Sequence, residues 1–139
     1  MIKWTVNVVN DDVIPSICHE VIRACSEILS LEGEKYLNLV ILNQEDMRRL
    51  SFQTRKKNES TDVLSFPSQL PSHMGHLGDI AVCLEEFDKG YSEHHFAHIL
   101  LHGFLHLLGY VHENEIDARH MEKLESEVLL SLGIPDPYA

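Results

Sequence analysis

Ile2, Trp4, Val6 and Val8 alternate with Lys3, Thr5 and Asn7, and this two-residue period predicts a half-buried strand from Ile2 to Val9. Asp11, Asp12 and Pro15 predict the opening of a helix that carries Ile17, Val21, Ile22, Cys25, Ile28 and Leu29 along one side, with Gly33 as its stop. Tyr36 to Leu42 reads as a second strand. Asn43, with Asp46 three residues later, resembles a capping box for a short helix that reaches about Phe52. The segment Gln53 to Ser60 is polar and basic without an apolar period, which predicts a loop leading into a third strand, Thr61 to Phe66, ended by Pro67. PSQLPSHMGHLG, from Pro67 to Gly78, predicts a long mobile crossing, and Asp79 to Leu84 a fourth strand. Ser92 can cap a helix from Glu93 to about Leu108. Its apolar residues Phe96, Ile99, Leu100, Phe104, Leu107 and Leu108 cover the wide arc expected of the most buried helix. A last helix begins near Glu115, with Met121, Leu124, Val128 and Leu132 on one face, and Gly133 and Pro135 end it. Strands first and the longest helices last predict an α+β domain with one mixed four-stranded sheet packed with helices.

Composition narrows the class. A chain of 139 residues with 44% apolar content predicts one domain, residues 1–139, that buries a core without covalent staples. No apolar run approaches the length of a membrane span, and MIKWTVNVVNDD lacks the basic start, apolar core and cleavage site of a signal peptide. The expected location is the cytoplasm, with no membrane partner. Three cysteines without a CxxC pair make neither a disulfide framework nor a thiolate zinc site, so Cys18, Cys25 and Cys83 read as small buried hydrophobes. The net charge of -11 argues against a general phosphate-backbone binder. However, Arg48, Arg49, Arg55, Lys56 and Lys57 crowd into one short segment, and a local basic patch can steer a phosphate chain even on an acidic protein.

The chemistry gathers in His102 to His112, HGFLHLLGYVH. At about 100° per residue, His102 and His106 share a helical face, and Gly109 stands where a helix ends in a left-handed residue that turns His112 back toward them. Spacing alone is ambiguous, because His94 with His98 and His98 with His102 also stand one turn apart. The third histidine after a helix-ending glycine adds the rest of the metzincin ligand skeleton. Three imidazoles with an open fourth position suit one catalytic Zn2+, although they also suit nickel, copper or iron. Gly103 occupies the place of the metzincin general-base glutamate, which removes the base of ordinary peptide hydrolysis and suggests close approach by a neighbouring element or a substrate. Lewis-acid chemistry serves phosphodiesters as well as amides, and Arg55 is the candidate fork for phosphate oxygens. Asp79 is a candidate to orient a ligand histidine. His73 and His76 are candidates to close over the site, and Glu113 and Glu115 read as the acidic start of the last helix.

TDVLSFP (Thr61 to Pro67), LGDIAVC (Leu77 to Cys83), HGFLHLLGYVHE (His102 to Glu113) and MEKLE (Met121 to Glu125), in this order, resemble the bacterial YbeY family. That family consists of single-strand-specific, metal-dependent endoribonucleases of ribosomal RNA maturation and ribosome quality control. The resemblance runs from about Leu50 to PDPYA; the first fifty residues match in pattern only. It implies a zincin-like α+β fold, with zinc on His102, His106 and His112 and catalytic roles for His102 and Arg55. It also implies single-stranded RNA as substrate, in particular the small-subunit ribosomal RNA 3′ end, and the ribosome or its proteins as partners. Three positions depart from the family pattern. Val111 stands for a usual aspartate before the last histidine, Thr54 for an aromatic residue, and Asn58 for a common aspartate. Two other readings stay open: a zincin-type metallopeptidase, and a non-catalytic ribosome-associated protein in which His98 or Asp79 supplies a fourth zinc ligand. The sequence does not set the oligomeric state.

Overall fold

Alternation and helical periodicity resolve into four strands and four α-helices in a computed structural model that describes residues 2–9, 16–88 and 90–138. In chain order these are β1 (Ile2–Val9), α1 (Ile17–Ile28), β2 (Gly33–Ile41), α2 (Gln44–Arg55), β3 (Val63–Pro67), β4 (His76–Val82), α3 (Glu93–Leu107) and α4 (Glu115–Ser131). Single 3-10 turns lie at Ser72–Met74 and Leu84–Glu86. The sheet order is β1-β2-β4-β3; β1, β2 and β4 run parallel, and β3 is an antiparallel edge strand on β4. This is the mixed four-stranded α+β sheet the pattern predicts.

Register decides what each face does. Val8 pairs with Leu39 and Leu39 with Ile80, so Leu37, Leu39, Ile80 and Val82 form the floor of the main core beneath Phe96, Leu100, Phe104 and Leu107 of α3 and Val21, Ile22 and Cys25 of α1. Each such buried side chain contributes roughly 1.5–3 kcal/mol. Trp4 adds an edge-to-face contact with Phe104, its ring centroid 5.3 Å away, and its indole N–H donates to Ser26 Oγ at 2.6 Å. Residues of opposite parity face the other way. There α2 covers one end through Met47, packed with Leu64, Ala81 and Cys83, while Asn7, Asn38 and Asp79 form a polar row across the remainder. Cys18, Cys25 and Cys83 are fully buried, and burial pushes the Cys18 and Cys25 thiols up to about 12, so they behave as hydrophobes. Among the described residues, no helix is long and apolar enough to cross a membrane.

Several boundaries differ from expectation. The proposed helix opening at Asp11, Asp12 and Pro15 lies outside the described residues. α1 stops at Ile28 and not near Gly33, because Ser30 N–H bonds Glu27 O and Leu31 N–H bonds Ser26 O, with Ser30 left-handed at φ 54°. Gly33, at φ 96°, opens β2 instead. α2 does begin at the Asn43 cap, whose side chain accepts from Asp46 N–H, but it runs past Phe52 to Arg55, where Lys56 at φ 60° ends it. The loop expected from Gln53 is therefore shorter, and Arg55 belongs to a helix end. β3 starts at Val63 and β4 at His76, so part of the expected crossing is strand.

Candidate metal centre

α3 begins where Ser92 Oγ accepts from His95 N–H, and its register places His98, His102 and His106 on successive turns of one face. At its end Gly109 N–H bonds His106 O and Tyr110 N–H bonds Leu105 O, while Gly109 takes φ 100°. This glycine-dependent reversal brings Tyr110 O within 2.9 Å of His106 Nδ1 and swings His112 alongside both helical histidines. Ligand atoms of His102, His106 and His112 all lie within 4.8 Å of one another; the first two rings are half-buried and His112 is exposed.

The hydrogen bonds assign the tautomers. His106 Nδ1–H donates to a carbonyl, which leaves Nε2 as a bare lone pair. His102 Nδ1–H donates to Glu125 Oε1 at 2.7 Å, which leaves its Nε2 bare as well. The two Nε2 atoms stand 3.0 Å apart. Two facing lone pairs repel unless a cation lies between them, and Zn–N bonds of about 2.0–2.1 Å in a tetrahedron separate such nitrogens by about 3.3 Å. The donor set therefore fits a divalent ion. Burial, with His102 and His112 close by, holds the His106 imidazole below its usual pKa and favours the neutral form that ligates.

Glu125 is the residue that sequence reasoning passed over. It is fully buried, on the face of α4 shared with Met121, Leu124 and Val128. Burial opposes its ionisation, yet donors from His102, His98 and Tyr138 outweigh that and bring the carboxyl down to about 2. His98 Nε2–H donates to Glu125 Oε2 at 2.9 Å, and the Tyr138 hydroxyl donates to the same oxygen. The available signal was a charged residue at an apolar position of α4, which native helices rarely place there without partners.

Arg55, at the end of α2, lines the same cleft of about 620 Å³ as His98, His102, His106, His112, Val111, Ser65 of β3 and Tyr138. Arg49 is paired with Glu45 at 2.9 Å, whereas Arg55 has no carboxylate partner among the described residues. Gly103 is explained by a neighbouring element. A Cβ there would stand 3.0 Å from Ser65 Oγ and 3.2 Å from Ile80 Cγ2, and Ser65 Oγ donates to Gly103 O at 3.1 Å. The position where a metzincin carries glutamate is packed against the sheet.

Three expectations are corrected. Asp79 does not approach the ligand histidines; it accepts from Asn38 Nδ2 at 2.8 Å and pairs with His76 at 3.1 Å on the opposite face of the sheet. His76 is held there by Ser68 at 2.7 Å and stacks on Tyr36, and His73 lines a separate hollow with Lys35 and Tyr36, so neither closes over the site. His98 is committed to Glu125. Among the described residues no fourth protein group joins the three histidines.

A mixed four-stranded sheet backed by helices, with three histidines converging from the central helix and the turn after it, defines an α+β protein with an open histidine centre beside an arginine. The residue-by-residue likeness to known proteins sharpens this. A family model described as Endoribonuclease YbeY matches residues 3–133. Proteins named Endoribonuclease YbeY from Chelativorans sp. (strain BNC1) and Bartonella quintana (strain Toulouse) are 38% and 40% identical, over 93% and 94% of this chain and 85% and 89% of theirs. The solution structure of TM1509 from Thermotoga maritima shares the fold, with a TM-score of 0.55 and 22% identity over 93% of this chain and 92% of that one. The chain belongs to the YbeY family of endoribonucleases.

Proposed function

We propose that this protein is a zinc-dependent endoribonuclease that cleaves single-stranded RNA during ribosomal RNA maturation, with the small-subunit 3′ end and ribosome quality control as its setting and the cytoplasm as its location. The observation that carries the reading is the convergence of His102, His106, His112 and Arg55 on one cleft. The three histidines would hold one ion, which when bound supplies Lewis acidity to a phosphoryl oxygen and lowers the pKa of water. Arg55 is free to pair with phosphate oxygens and to stabilise the charge that grows on them. Lys56 and Lys57 follow it directly in the chain and add local positive charge on an otherwise acidic protein. The exposed Tyr138 ring offers an unpaired base an apolar face.

Gly103 weighs against a peptidase, because a side chain at that position meets β3 and β4 instead of a scissile bond. The test is cleavage of a single-stranded RNA and of casein by wild type and His106→Ala, each purified away from host nucleases. The reading requires RNA cleavage that disappears with His106. Cleavage of casein that disappears with it would install the peptidase instead.

A further inference from the structure

We propose that Glu125 is a positioning residue for the ligand His102, and that the segment Gly133 to Tyr138 is the strap that holds Glu125 in place. Metal affinity then depends on docking of that segment. This rests on the metal reading of the site given above. A carboxylate wholly removed from water carries a penalty of several kcal/mol unless its oxygens are filled by donors. Glu125 has three, of which His102 alone faces the ion site. The other two, His98 and Tyr138, occupy Oε2 and leave Oε1 to His102. This fixes the ring plane of His102 as well as its tautomer.

The strap is built in detail. Gly133, at φ 76°, lets the chain leave α4, Ile134 is buried in the main core, and Asp136 Oδ1 accepts from both Ser126 Oγ and Tyr138 N–H at 2.8 Å. That double acceptance turns the backbone so that the Tyr138 hydroxyl reaches a carboxylate on the helix just left. The same ring forms a wall of the cleft next to His98, with centroids 5.6 Å apart and planes at 89°, and covers Glu125 from solvent.

The test is Zn2+ affinity by chelator competition, with the Co2+ absorption spectrum as a reading of ligand geometry, for Glu125→Gln, Tyr138→Phe and wild type. Glu125→Gln keeps the shape and avoids the hole that alanine would leave; Tyr138→Phe keeps the ring and removes one donor. Affinity is expected to fall toward about 100-fold for Glu125→Gln and about 10-fold for Tyr138→Phe, the two ends of the range for groups that orient a ligand. The Co2+ spectrum shifts, and circular dichroism of the apoproteins stays as in wild type. Unchanged affinity in Glu125→Gln overturns the positioning role, and unchanged affinity in Tyr138→Phe alone overturns the strap. A wild-type protein that takes up no Zn2+ contradicts the metalloenzyme reading itself, and this role with it.

Discussion

Histidine meets carboxylate on both sides of the sheet. His102 with Glu125 and His76 with Asp79 have similar hydrogen-bond lengths, 2.7 and 3.1 Å. They differ in what surrounds them. The Glu125 side chain is 0% exposed and that of Asp79 47%. The far nitrogen of His102 faces a second bare imidazole nitrogen, whereas the far nitrogen of His76 is used by Ser68. A histidine–carboxylate pair is therefore not itself a site. What sets the His102 pair apart is a dry carboxylate together with a second ring nitrogen left free and convergent with further histidines.

The sharpest way to break this contrast is to remove a ligand. His106→Ala should lose metal and RNA cleavage together, by more than the roughly 10–100-fold expected for orienting groups; metal content by mass spectrometry and gel assay check it. Arg55→Ala should lower cleavage by about 100–1,000-fold, the size of one lost charge-stabilising donor, with metal content unchanged.

Acid comes next. The Glu125 carboxyl titrates near 2 when folded against 4.5 ordinarily. The unfolded chain therefore binds that proton first, and the stability Glu125 contributes is present above about 4.5 and lost as pH falls toward the folded value. Thermal melts of apoprotein between pH 6 and pH 3 should fall more steeply for wild type than for Glu125→Gln, and equal slopes would contradict the assignment. The smallest effect belongs to the other pair. Asp79→Asn should leave metal affinity untouched and shift stability by less than about 1 kcal/mol, as for other half-exposed pairs.

What could be read in advance followed the chemistry of particular residues. Helix ends marked by glycine, at Gly109 and Gly133, fell where expected, and the first of these delivered His112 to the site. The ends that were misplaced use Ser30 and Lys56 in left-handed conformations, which carry no distinctive signal because they are fixed by neighbouring backbone bonds and not by a glycine. Arg55 lines the histidine cleft although its element was misjudged, since its position relative to β3 survives an extra helical turn. Glu125 went unnoticed because a glutamate on a helix is ordinarily solvated; only the juxtaposition of α4 with α3 and with Tyr138 makes it the centre of a network. Asp79 shows the opposite error. A strand-end aspartate near a histidine-rich region looked suitable, but strand parity turned it to the far face.

The most direct test combines metal content with cleavage of a single-stranded RNA for wild type, His102→Ala and Arg55→Ala, purified in parallel. One equivalent of metal and cleavage are expected in wild type, neither in His102→Ala, and metal without efficient cleavage in Arg55→Ala. Equal cleavage by all three proteins would contradict it.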